Sequence, residues 1–116
     1  MKTVLIVDDH AGFRATARKL LEAEGYDVVG EAGDGVEAVA CAARLKPDLV
    51  LLDVQLPDMD GFEIAVLLQG NGHRPAIVLT SSRDAVEFGN LIEQSPARGF
   101  VPKAELSGGR LAELLA

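Results

Sequence analysis

The stretch Val4-Leu5-Ile6-Val7-Asp8-Asp9 decides the fold: an apolar run with no polar interruption leads straight into two carboxylates. A strand alternates its side chains between two faces, so an unbroken apolar run belongs in a sheet covered on both sides, as parallel sheets flanked by helices are. Leu49 to Leu52 and Ala76 to Leu79 repeat the pattern. Val28-Val29 and Gly99-Phe100-Val101 are weaker runs that suit edge strands.

Between these runs, apolar residues recur at helical spacing. Phe13, Ala17 and Leu20-Leu21 form one face; Val36, Val39-Ala40 and Ala43 a second; Phe62 and Ala65-Val66 a third; Ala85, Phe88 and Leu91-Ile92 a fourth. Leu111 with Leu114-Leu115 makes a short last helix, whose glycine-rich start at Ser107-Gly108-Gly109 predicts fraying. Asp34 with Glu37, and Asp84 with Glu87, have capping-box spacing, and Gly25 suits a helix C-terminus. Five strand-helix units joined by right-handed crossovers build a doubly wound α/β sheet. The expected strand order is 2-1-3-4-5, with a ligand crevice at the carboxyl ends of the first and third strands, where the order switches.

The chain has 116 residues, enough for one domain, and 48% hydrophobic with 25% charged residues indicates a folded protein. A net charge of -7 disfavours direct binding of nucleic acid or anionic lipid by this domain. No apolar stretch approaches the roughly 20 residues of a membrane span, and the opening run is too short for a signal peptide, so a cytoplasmic location is expected. Cys41 is the single cysteine; it excludes an internal disulfide and reads as a small buried helix residue.

Parallel strands bring their carboxyl ends to one rim, and the polar residues converge there. Asp8 and Asp9 follow the first strand, Asp53 the third, Thr80 the fourth and Lys103 the fifth. Taken singly, the aspartates and Thr80 would be turn or cap residues, and Lys103 a solvated charge. As a set they point to chemistry. Crowded carboxylates repel one another unless a cation sits among them, and an oxygen-only donor set selects a hard ion such as Mg²⁺. A carboxylate beside such charge can attack phosphorus, with the Lys103 ammonium and Thr80 hydroxyl neutralising the transferred group.

Val7-Asp8-Asp9-His10, Asp53 ahead of Leu56-Pro57-Asp58-Met59-Asp60-Gly61, Thr80, and Phe100-Val101-Pro102-Lys103 together resemble the response regulator receiver domains along the whole chain. Asp8-Asp9-His10 followed by Phe13-Arg14 is most similar to the NarL/LuxR-type subfamily, whose full-length members usually carry a DNA-binding helix-turn-helix domain. The resemblance implies one receiver domain over residues 1–116 with the flavodoxin-like (βα)5 fold of the CheY-like superfamily. It implies that Asp53 accepts a phosphoryl group from a sensor histidine kinase or a small phosphodonor, as a phosphorelay switch rather than a turnover enzyme. Around Mg²⁺ it implies Asp9 as a direct ligand, Asp8 acting mainly through water, Asp53, and the Gln55 carbonyl. Lys103 would contact the phosphoryl oxygens and bridge to Asp53 beforehand. Thr80 would move toward the phosphoryl group and Phe100 would swing inward. The fourth helix, fifth strand and fifth helix would then form the readout surface for a partner, an output domain controlling transcription, or a homodimer; the first and fifth helices are the alternative dimer surface.

Gly61 is expected to permit the tight entry into the third helix. His10 reads as a polar turn residue, with a phosphohistidine or ligand role as the alternative, and His73 is assigned nothing. Receivers often have proline after the lysine; here Ala104 follows Lys103, and a cis bond between them would cost about 3 to 4 kcal/mol. Ser81 stands where alanine is frequent. Gln55 and Ser82 flank the expected path of the water that hydrolyses an aspartyl phosphate. Two other readings compete. A haloacid-dehalogenase-like phosphatase needs an acid two residues after its nucleophile, where Gln55 stands, and a module that is never phosphorylated would not need the intact polar set. With no basic helix-turn-helix pattern after the last helix, the chain reads as a single-domain regulator or as one separated from its output domain.

Overall fold

A computed structural model describes residues 2–70 and 72–115. Its strands, β1 (Thr3–Val7), β2 (Asp27–Ala32), β3 (Leu49–Asp53), β4 (Ala76–Ser81) and β5 (Gly99–Pro102), form one parallel sheet in the order β2-β1-β3-β4-β5. The helices are α1 (Ala11–Ala23), α2 (Gly35–Leu45), α3 (Gly61–Gln69), α4 (Leu91–Gln94) and α5 (Gly108–Leu115). The fold class and strand order are those expected.

Alternate residues of the apolar runs serve opposite faces. Leu5, Val7, Val50, Leu52, Ile77 and Leu79 pack with α2 and α3, whereas Val4, Ile6, Leu49, Leu51 and Val78 pack with α1 and α5. All are buried, each contributing about 1.5–3 kcal/mol of transfer free energy. This two-sided burial makes a polar residue in the middle of β1, β3 or β4 costly. It confines the polar groups to the strand ends.

Two helices expose residues expected inside. α2 buries Ala38, Cys41 and Ala42 and leaves Val36 69% exposed. Small side chains bring this helix close to its neighbours: a Cβ added at Gly35 would lie 2.8 Å from the Met59 sulfur. α3 buries Ile64, Ala65 and Leu68 and turns Val66 outward. In α2 the buried stripe follows how closely the backbone must approach, whereas in α3 the larger Ile64 and Leu68 take the inner face.

The fourth helical segment is also broken. Ala85–Phe88 forms a 3₁₀ turn, Gly89 has φ 57°, and α4 is a single turn. A left-handed residue cannot continue a right-handed helix, and Pro96 pushes Ser95 to extended geometry, ending α4 on its far side. Glu87 still reaches back to accept from the Asp84 N–H at 3.1 Å. By contrast, α5 is helical from Gly108 onward. Ser107 Oγ accepts from the Arg110 N–H at 3.1 Å, and Gly108 packs so closely on the Glu24 side chain that a Cβ there would require Glu24 to move aside.

The remaining signals hold. Gly25 takes φ 91° just beyond α1, Asp34 accepts from the Glu37 N–H at 2.8 Å, and Cys41 is buried. Among the described residues every peptide bond is trans, including Lys103–Ala104, and no helix is long and apolar enough to cross a membrane.

Candidate functional site

The strand ends assemble the expected polar set. Asp8 follows β1 and is fixed at both backbone ends: its N–H donates to Ala32 O at 3.0 Å, and its carbonyl accepts from Arg14 Nη1 at 2.6 Å. Its carboxylate is fully buried, with Oδ1 accepting from the His10 N–H at 2.8 Å. Asp53 and Thr80 are register partners at the ends of β3 and β4, both buried. Asp53 Oδ1 accepts from the Gln55 N–H at 3.0 Å. The Thr80 hydroxyl has no hydrogen-bond partner, an orphaned buried group that needs one.

Lys103 enters from the end of β5. Its ammonium lies 2.5 Å from Asp8 Oδ2 and 3.3 Å from Asp53 Oδ2. The contact with Asp8 is a charge contact rather than an aligned hydrogen bond, since Oδ2 accepts none; the contact with Asp53 is aligned. Burial raises the Asp53 carboxyl above its ordinary range; the Gln55 N–H opposes this, the Asp8 charge adds to it and Lys103 opposes it. Burial works against the Lys103 charge, but the Asp8 and Asp53 carboxylates outweigh it and its pKa is raised. Asp9 stands at the rim with its side chain 35% exposed.

The loop after β3 is held tightly. Gly61 N–H donates to Val54 O at 2.7 Å, and a Cβ there would lie 2.6 Å from Asp53 O. Asp58 spans to α2, accepting from the Gly35 and Val36 N–H groups at 2.7 and 3.0 Å. Those bonds, led by the Gly35 N–H, hold its carboxyl below the usual range.

A family model, the response regulator receiver domain, matches residues 4–115. The chain belongs to that family. PdtaR, a transcriptional regulatory protein of Mycobacterium tuberculosis, is 37% identical over 99% of this chain and 60% of its own length. BvgA of Bordetella pertussis is 36% identical over 88% of this chain and 49% of its own length, so the receiver spans about half to three-fifths of these relatives. Among solved structures, the signal receiver domain of a modulated diguanylate cyclase from Desulfovibrio desulfuricans G20 superposes with TM-score 0.85 at 34% identity, covering 99% of this chain and 90% of that one. A LuxR-family two-component response regulator from Aurantimonas sp. SI85-9A1 gives 0.86 at 29% identity, covering 99% and 86%. The chain is thus a two-component response regulator receiver, similar to NarL/LuxR-type domains.

In this receiver Phe100 is half-buried beside Thr80's neighbour Leu79, its register partner, and its ring lies 5.7 Å from Phe88, which lies 5.9 Å from Phe62. The residue expected to switch therefore heads a row of three aromatics. Three neighbours of the site were not assigned to it from sequence: Phe13, whose ring faces Lys103; Arg14, which fixes the Asp8 carbonyl; and Asp58, which ties the loop to α2. His10 sits in the turn after β1, with Nδ1 3.2 Å from Asp8 Oδ1 and 3.1 Å from Asp9 Oδ1. His73 approaches Pro47 O at 2.6 Å, remote from this rim in sequence and contacts.

Proposed function

We propose that this receiver accepts a phosphoryl group on Asp53 with the help of Mg²⁺ and passes the change to its α4-β5-α5 face. The observation that carries the reading is the buried Asp53 carboxylate in contact with the Lys103 ammonium, beside a Thr80 hydroxyl that lacks a partner. A structural ion pair would need no third polar group waiting there.

The donor set fits a hard ion. One ligand atom from each of Asp8, Asp9, His10 and Asp53 lies within 4.8 Å of the others, and carboxylate oxygens predominate. Asp8, Asp9, Asp53 and the Gln55 carbonyl would hold Mg²⁺, which when bound neutralises carboxylate and phosphoryl charge.

The chain's own groups do the rest. An Asp53 carboxylate oxygen forms the P–O bond as the P–N bond of a kinase phosphohistidine breaks, the imidazole leaving with the electron pair. Lys103 balances charge on the phosphoryl oxygens, and Thr80 donates its hydroxyl to one of them, gaining the partner it lacks. Movement of Thr80 frees space for Phe100, whose ring leaves the row with Phe88 and Phe62 and changes the outer face. Hydrolysis past Gln55 and Ser82 resets the switch, so the protein is a phosphoacceptor rather than a turnover enzyme. The altered face binds a partner, a second copy or an output domain; any DNA contact falls to such an output domain, given this domain's acidity. A cytoplasmic setting follows from a sensor histidine kinase as donor.

Beryllofluoride with Mg²⁺ mimics the phosphorylated carboxylate. Amide spectra should then shift at Thr80, Phe100 and Lys103 in the native protein, and not in Asp53→Asn. An unchanged native spectrum would overturn the reading.

A further inference from the structure

We infer that His10 is a ligand of the divalent ion, so that this receiver favours a first-row transition ion such as Mn²⁺ or Co²⁺ over Mg²⁺ more strongly than an all-oxygen site would. The inference rests on the reading that a divalent ion binds among these carboxylates, and deepens it by naming a nitrogen donor.

The geometry begins with the turn after β1. Asp8 Oδ1 accepts from the His10 N–H at 2.8 Å, which bends the chain back and brings the imidazole over the acids. Nδ1 then lies 3.1 Å from Asp9 Oδ1 and 3.2 Å from Asp8 Oδ1, facing two carboxylates from different residues. A ring nitrogen this close to both is satisfied in one of two ways, by an Nδ1–H donated to a carboxylate or by a metal ion in place of that proton. The rest of the ring is open, the side chain being 69% exposed. Nothing blocks Nε2 from carrying the ring proton, the tautomer that leaves the Nδ1 lone pair for a metal.

The other contacts of the cluster leave this role open. Asp8 Oδ2 and Asp53 Oδ2 face Lys103, and Asp53 Oδ1 is bound by the Gln55 N–H. His10 is the only non-oxygen donor among the grouped residues. Imidazole discriminates among divalent ions as carboxylate does not: it adds little for Mg²⁺, which prefers oxygen and keeps its waters, and more for first-row transition ions along the Irving–Williams order. The consequence is a selectivity set by one residue on an exposed turn.

The test uses the whole chain and Mn²⁺ as probe, with His10→Gln as the variant. The Asp8 contact to the backbone N–H at position 10 survives this change, and the exposed side chain contributes no core packing. Electron spin echo modulation on Mn²⁺-loaded native protein should show a coordinated imidazole nitrogen, lost in His10→Gln. Calorimetric titrations should show the variant's preference for Mn²⁺ over Mg²⁺ falling roughly 10- to 100-fold, at least the cost of losing a supporting group at a metal site. Mn²⁺ binding without nitrogen modulation, or with the same preference in both proteins, would overturn the His10 role and leave the divalent-ion reading intact. No binding of either ion to the native protein would overturn both.

Discussion

The Lys103 ammonium stands 4.6 Å from the centre of the Phe13 ring. The cation that contacts Asp8 and Asp53 is therefore also positioned by an aromatic residue from α1, far from it in sequence. Such a contact is worth about 0.5–1 kcal/mol when exposed and more when desolvated. Phe13→Leu keeps apolar bulk and removes the π face, so phosphorylation by a small donor should slow about two- to fivefold, the rate equivalent of that energy. The measurement is a time course of adduct formation; an unchanged rate with an intact fold would remove Phe13 from the machinery.

Glu31, on β2, ties α1 to the sheet beneath the site. Its two carboxylate oxygens accept from Arg14 Nε at 3.0 Å and Arg18 Nε at 2.8 Å. The Arg18 bond leads in holding its pKa below the ordinary value, with burial opposing and Arg14 adding to the depression. A depressed carboxyl stabilises the fold above its unfolded pKa, and that contribution is lost as pH falls through the folded value. Partial exposure limits it, so Glu31→Gln should cost about 0.5–1 kcal/mol at neutral pH. Urea unfolding should show that gap at pH 7 and its closing in acid below the folded pKa. A gap that persists once Glu31 is protonated would mean packing, not charge, is responsible.

Much of this was readable in the chain because two-sided burial leaves a strong mark. The unbroken apolar runs located β1, β3 and β4, and parallel strands then had to bring Asp8, Asp53 and Thr80 to one rim. Helix faces were less legible. Val36 and Val66 look like core residues by hydropathy, but on α2 the close approach at Gly35 puts small side chains inward, and on α3 Ile64 and Leu68 fill the inner face. The fourth segment has helical spacing, yet the positive φ of Gly89 interrupts it, and spacing alone does not report a backbone angle. Contacts such as Phe13 with Lys103 join distant segments, and no local pattern encodes them.

The loop that carries Gln55 to Asp60 depends on one close backbone approach. At Gly61 a Cβ would meet the main chain of Asp53 and Val54, at 2.6 Å from Asp53 O and 2.7 Å from Val54 Cα, and neither can move without moving the site. At Gly108 the obstacle is the side chain of Glu24, which can swing away. Gly61→Ala should therefore cost about 1–3 kcal/mol, as overpacking does, and also slow phosphorylation. Gly108→Ala should stay within about 1 kcal/mol of the native protein, a helix-propensity gain offsetting the displaced Glu24. Chemical denaturation of the pair checks the contrast, and equal costs would refute it.

The central claim concerns where phosphorus is taken up. The most direct test is intact mass measurement after incubation with acetyl phosphate, with and without Mg²⁺, on the native protein and Asp53→Asn. The native protein should gain the mass of one phosphoryl group in the presence of Mg²⁺ alone, and the variant should gain none. An adduct of the same size on Asp53→Asn, or a native protein that stays unmodified with Mg²⁺ present, would contradict the account.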